Sequence, residues 1–209
     1  MAEASKTGLP ARPVGAVMTA LMAALFAALF AALFAAAPAW AAFDLNTLTA
    51  LLAQKKSAEA RFTEERFVSG LDGPLRSSGT LTFSAPDRLT RQTLEPQAEA
   101  MIVDGNSLIL KRGGRSRQMA LDAVPEVTAL VEAVRGTFNG NAVTLNRHFE
   151  TKVEGGPALW TLTLKPRAAK LAAQVREVQI AGQGSDLRSI ALWLGGGDRS
   201  LMLIEPVSK

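Results

Sequence analysis

Between Gly79 and Ser84 the chain reads G-T-L-T-F-S, with Leu81 and Phe83 alternating against threonine and serine. That is the period of a half-buried strand. Ala85-Pro86 stops it, because proline lacks an N–H and restrains the residue before it. The same alternation predicts strands over Gly79–Ser84, Arg88–Leu94, Glu99–Val103, Ser107–Lys111 and Arg117–Asp122. It returns over Arg147–Val153, Leu159–Lys165, Val175–Ile180, Leu187–Leu194 and Arg199–Ile204. Asp104-Gly105-Asn106 joins two of these strands as a hairpin, and Arg112-Gly113-Gly114-Arg115 joins another pair. The period changes to helical twice. Leu45, Leu48, Leu51 and Leu52 follow a cap at Asp44 or Asn46; Val127, Leu130, Val131 and Val134 follow Pro125 and stop at Gly136 or Gly140. Residues 57–70, with Phe62 and Phe67, read as a strand or a strand–helix junction.

A helix, a run of short strands, a second helix and a further run of strands predict a mostly antiparallel α+β fold. So many strands in sequence curl or close rather than stay flat. Trp160, Leu162 and Leu164 alternate with polar residues, as do Met119 and Leu121. Ile190, Leu192 and Leu194, and Leu201 and Leu203, keep the same spacing, so one face of the sheet is lined with large apolar side chains. Two helices are at hand to cover it. Such a face is either a packed core or the wall of a cavity for an apolar ligand, and alternation alone leaves both open.

The first fifth of the chain does not belong to this fold. Lys6 and Arg12 precede an uncharged run from Pro13 to Phe43, and the A-x-A patterns Ala37-Pro38-Ala39 and Ala39-Trp40-Ala41 follow its apolar stretch. This is the layout of a secretory signal peptide, with cleavage expected near Ala41. An uncleaved membrane anchor is the alternative, since about 20 apolar residues span a bilayer. The reading therefore divides the 209 residues into a signal peptide, 1–41, and a single exported domain, 42–209.

Cysteine is absent from the chain. There is no disulfide, no thiolate nucleophile and no site for N-terminal lipidation, so the domain folds on hydrophobic burial alone. Without Lys6, Arg12 and Glu3 the mature part holds 21 Lys and Arg against 18 Asp and Glu, a mild basic excess. No basic run is interleaved with aromatics and tyrosine is missing, which argues against nucleic acid. His148 is the single histidine; no serine sits in a G-x-S-x-G elbow and no carboxylates flank it at ligand spacing. The residues point to no enzyme, metal or cofactor, with an acyl-ester hydrolase through His148 as the remote exception. Lys111, Arg112, Arg115 and Arg117 form the densest charge cluster, on a hairpin where they face either water or anionic head groups or partners.

Taken in order, the Leu-rich helix, "ARFTEERFVSG", "SSGTLTFSAPDRL" and "LEPQAEAMIVDGNSLIL" resemble the periplasmic lipoprotein-carrier family LolA. Phe62, Gly79, Leu81, Phe83, Pro86, Pro96, Asp104, Gly105 and Leu108 fall into that family's pattern, and "VREVQIAGQGSDLRSIALWLGGGDRSLML" is similar to its closing three-stranded meander. The resemblance implies an unclosed, strongly curved β-barrel with a helical lid over a hydrophobic cavity. It implies a soluble, non-catalytic periplasmic carrier that takes acylated cargo from an inner-membrane transporter to an outer-membrane acceptor. Leu81, Phe83, Met119, Leu121, Trp160, Leu162, Leu192 and Leu203 are the expected cavity wall, with Leu130 and Val134 on the lid. A monomer is expected. Two features depart from the family: the arginine it places before the proline, which holds the lid, is Ala85 here, with Arg88 and Arg91 nearby on the next strand; and the chain ends at "IEPVSK" without the family's further C-terminal segment. Both fit a divergent branch serving another lipid, such as an acylated polyene or glycolipid. The rival is a non-catalytic adaptor with a packed barrel.

Overall fold

The computed structural model describes residues 43–207, except the side chain of Glu126; the signal-peptide reading lies outside the described residues. Helix α1 (Leu45–Leu52) leads into six strands: β1 (Ser57–Phe67), β2 (Leu75–Ser84), β3 (Arg88–Glu95), β4 (Glu99–Asp104), β5 (Ser107–Arg112) and β6 (Arg115–Ala120). A 3₁₀ turn (Leu121–Ala123), α2 (Pro125–Phe138) and α3 (Ala142–His148) follow. Then come β7 (Phe149–Gly156), β8 (Leu159–Pro166), the short α4 (Ala169–Ala172), β9 (Val175–Gln183), β10 (Asp186–Leu194) and β11 (Arg199–Pro206).

All strands join one antiparallel 11-stranded sheet in the order β6-β5-β4-β3-β2-β1-β11-β10-β9-β8-β7. β6 and β7 are its two edges, and α2 and α3 are the connection between them. The sheet is therefore an unclosed, curved half-barrel whose seam is bridged by helices. One face is buried in a core that joins Leu48 and Leu52 of α1, Val134 and Phe138 of α2 and Leu145 of α3 to the strands.

The stretch 57–70, left open between strand and strand–helix junction, is a strand as far as Phe67: Ala60 and Phe62 are buried, while Arg61 and Thr63 are exposed. α2 passes Gly136 and ends at Phe138, with Gly140 at φ +69 just beyond it. α3 was not legible in the pattern, and it corrects the predicted strand Arg147–Val153, which starts only at Phe149. Asn141 caps α3 by accepting from the Thr144 N–H at 2.9 Å, and Ala142 and Leu145 are its buried positions. Seven residues are too few for a helical period to stand out.

Asp44 caps α1: its Oδ1 accepts from the backbone N–H of Thr47 and from the Thr47 hydroxyl, both at 2.8 Å. The backbone bond first, then the hydroxyl, holds this carboxyl below its usual 3.8. A depressed carboxylate stabilises the fold above its unfolded value and loses that contribution as pH falls through the lowered one. Hydrogen exchange is expected to show the α1 amides better protected in the wild type than in Asp44→Asn at neutral pH. The difference should close below about pH 4, because an asparagine cap does not titrate.

Candidate lipid-binding cavity

The concave face is set by register. Ala58 lies opposite Phe83 and Ala60 opposite Leu81 on β1 and β2; Phe83 then faces Leu89 on β3, and Leu89 faces Val103 on β4. On the other side of β1, Phe62 pairs with Ile204, and Met202 pairs with Ile190 of β10. Helix α2 lies over this row through Leu130, Val131, Val134 and Phe138, and the rings of Phe83 and Phe138 stack at 4.6 Å. The small side chains Ala58 and Ala60 sit beneath, and helix and sheet leave a cavity of about 470 Å³. That is within the range of small-molecule sites, roughly 300–1,000 Å³. Its wall is mostly apolar; Lys55 and Asp186, which form an ion pair, and Arg91 supply polar points along it.

Four expected wall and lid residues, Leu81, Phe83, Leu130 and Val134, line this space together. Met119, at the end of β6, and Leu121, in the 3₁₀ turn, pack instead in a second cluster with Val103, Leu108 and Val131. Trp160 and Leu162 are fully buried where β7, β8 and β9 pack as solid core, and Leu192 packs half-buried against the same core. These five do not line the cavity. Leu203 is a correction: it is 53% exposed on the convex face, beside a shallow groove it shares with Leu201. The run Leu201-Met202-Leu203-Ile204 is apolar throughout, so alternation could not choose its inward set. The pairing Phe62↔Ile204 did, turning Met202 and Ile204 inward. Ala58, Ala60 and Met101 also line the cavity and were not singled out from the sequence, and so does Ile190, named there for its alternation but not among the wall residues. The Ala-x-Ala-x-Phe spacing of β1 was the available signal for two of them.

A family profile decides the kinship. The profile described as "Outer membrane lipoprotein carrier protein LolA-like" matches residues 35–205. The chain belongs to this LolA-like family. The family is described as one of outer-membrane lipoprotein carriers. Among solved structures it is similar to the LolA superfamily protein NE2245 from Nitrosomonas europaea, at 8% identity and TM-score 0.42, over 79% of this chain and 92% of that one. It is similar to the lipoprotein LppX of Mycobacterium tuberculosis, at 13% identity and TM-score 0.38, over 78% of this chain and 97% of that one. The MucA/MucB complex of Pseudomonas aeruginosa matches at 16% identity and TM-score 0.43, over 79% of this chain and 58% of that one. No curated protein sequence matches the chain.

The LolA pattern puts an arginine where this chain has Ala85, which is exposed in the β2–β3 turn. That turn is nonetheless tied to the lid, from the opposite direction. Arg135 of α2 donates through Nη2 to the Asp87 carbonyl at 2.7 Å and to the Gly105 carbonyl at 2.7 Å, and through Nε to Asp87 at 3.2 Å. Its side chain is 12% exposed, and its Nη1 approaches Glu132 at 3.5 Å. Arg88 is exposed, whereas Arg91 lies on the cavity wall, its guanidinium 4.7 Å over the Phe62 ring. Arg91 donates to Glu64 at 2.5 Å and to the Ser77 hydroxyl at 3.1 Å, and Ser200 donates to the other Glu64 oxygen. Its Nε–H is buried and, among the described residues, has no partner. Glu64 thus balances Arg91, and the polar point on the wall is close to neutral.

His148 is the exposed last residue of α3 and does not line the cavity. Among the described residues no His, Cys, Asp and Glu group is placed to hold a metal ion, and no helix is long and apolar enough to cross a membrane.

Proposed function

We propose that this protein is a periplasmic carrier that holds the acyl chains of a lipoprotein or another lipid in the cavity beneath α2 and moves them from the inner toward the outer membrane. The observation that carries this reading is the apolar space of about 470 Å³ between a lid helix and a half-barrel of the LolA-like family. An acyl chain gains about 0.8 kcal/mol for each CH₂ it buries, which is enough to hold it during passage through water. The donor is an inner-membrane transporter and the acceptor an outer-membrane protein, and the N-terminal segment directs export.

A carrier must also surrender its load. α2 closes the cavity with apolar side chains, yet Arg135 fastens it only to backbone carbonyls of two rim turns. Loaded and empty states differ in the apolar area that α2 covers, so ligand shifts the balance between them. Removing these charge-assisted bonds is expected to favour opening. In Arg135→Ala, stopped-flow displacement of a fluorescent fatty acid should show release accelerated about tenfold, with Arg135→Lys between.

The reading is tested by native mass spectrometry of the purified mature protein, with fluorescent fatty-acid displacement beside it. Co-purifying lipid and saturable displacement support it. A protein free of lipid that displaces no probe would sink it and leave a packed adaptor.

A further inference from the structure

The concave face of the sheet continues beyond the cavity. Arg91 lies opposite Met101, Met101 opposite Leu110, and Leu110 opposite Arg117, so these four form one row across β3, β4, β5 and β6. Arg91 and Met101 line the cavity. Neighbouring strands are about 4.8 Å apart, which puts Arg117 roughly 10 Å from Met101 on the same concave face. Leu110, 37% exposed, is the apolar step between them. The next row is Glu99, Arg112 and Arg115. Gly113 and Gly114, at φ +54 and +75, make the tight two-residue turn that brings Arg112 and Arg115 opposite one another.

The charge along this track is one-sided. Arg112 is engaged by Glu99 at 3.0 Å and by Gln97. Arg115 and Arg117 are exposed, and among the described residues neither has an ion-pair partner. An apolar track that starts in the cavity and ends at two guanidinium groups with no carboxylate partner among the described residues suits an anionic amphiphile.

We propose that the cargo carries a phosphate-bearing head group held by Arg115 and Arg117, with its acyl chains running past Leu110 and Met101 into the cavity. The proposal rests on the carrier reading and names its substrate class. Guanidinium suits it, because its planar fork of donors meets phosphate oxygens in pairs. Glu64, which cancels Arg91, leaves the cavity itself fit for uncharged chains, so the negative end of the lipid belongs at the hairpin.

The test compares a fluorescent phosphatidic acid with a fluorescent diacylglycerol of the same chains, on the mature protein. The wild type is expected to bind the phosphatidic acid about 10- to 30-fold more tightly. Arg115→Glu with Arg117→Glu should erase that preference and leave diacylglycerol binding unchanged, while Arg115→Lys with Arg117→Lys keeps most of it. Glycerol phosphate, which has no chain to place in the cavity, should compete poorly. Equal binding of the two lipids by the wild type would overturn the proposal. So would a preference that survives charge reversal, which would assign the arginines to guarding an exposed edge strand or to an acidic protein partner. If neither lipid binds, it is the carrier reading that fails.

Discussion

Leu81→Asp is expected to weaken lipid binding about 100-fold while the protein stays folded. Leu81 is half-buried, opposite Ala60 on the cavity wall, and the same wall runs out to exposed Glu59 and Ser84. A carboxylate there keeps water along the stretch of wall where a chain would lie. Withdrawal of about four methylenes removes roughly 3 kcal/mol, or two decades in affinity. Fatty-acid displacement measures the loss, and thermal melting checks that stability falls far less. Unchanged affinity in a folded Leu81→Asp protein would place the lipid elsewhere.

Trp160→Ala is expected to do the reverse. Its indole is 1% exposed, its Nε1 donates to the Gly184 carbonyl at 2.9 Å, and it lies against Gly182, where an added Cβ would stand 2.3 Å from the ring. Truncating such a side chain costs about 3–5 kcal/mol, against a total of roughly 5–15 for a domain. The melting temperature should drop by about 10 °C or more. Trp160 does not line the cavity, so the molecules that remain folded should bind lipid as the wild type does. A variant that melts normally would mean that the β7–β9 end tolerates the hole.

The opposite effects expected of Leu81 and Trp160 also explain what the sequence could reveal. Both sit on the same alternating pattern, and alternation reports which side of a strand faces inward. It does not report whether the inward side meets another side chain or empty space. At Trp160 the inward side meets Gly182 and the helix-backed core; at Leu81 it meets two alanines of β1 and a helix held at a distance. The wall could be read only where register and helix placement are both known. The succession of strands along the chain, the Pro86 stop, the Asp-Gly hairpin and the α2 stripe were legible because each depends on near neighbours in the chain. α3 was too short, and the apolar run at Leu201–Ile204 had no polar partner position to set its phase. Arg135 carried no local signal at all, since its acceptors, Asp87 and Gly105, are 48 and 30 residues away.

The helical bridge between β6 and β7 has a mechanical consequence. Because α2 and α3 are tethered to an edge strand at either end, the lid is a strap rather than a flap. It cannot swing clear of the cavity while both edges stay where they are. Any movement that widens the space under α2 must lengthen the path from Ala120 to Phe149 or let the two edges shift, so the width of the seam and the volume of the cavity form one coordinate. Whatever grips either edge thereby acts on the volume of the cavity.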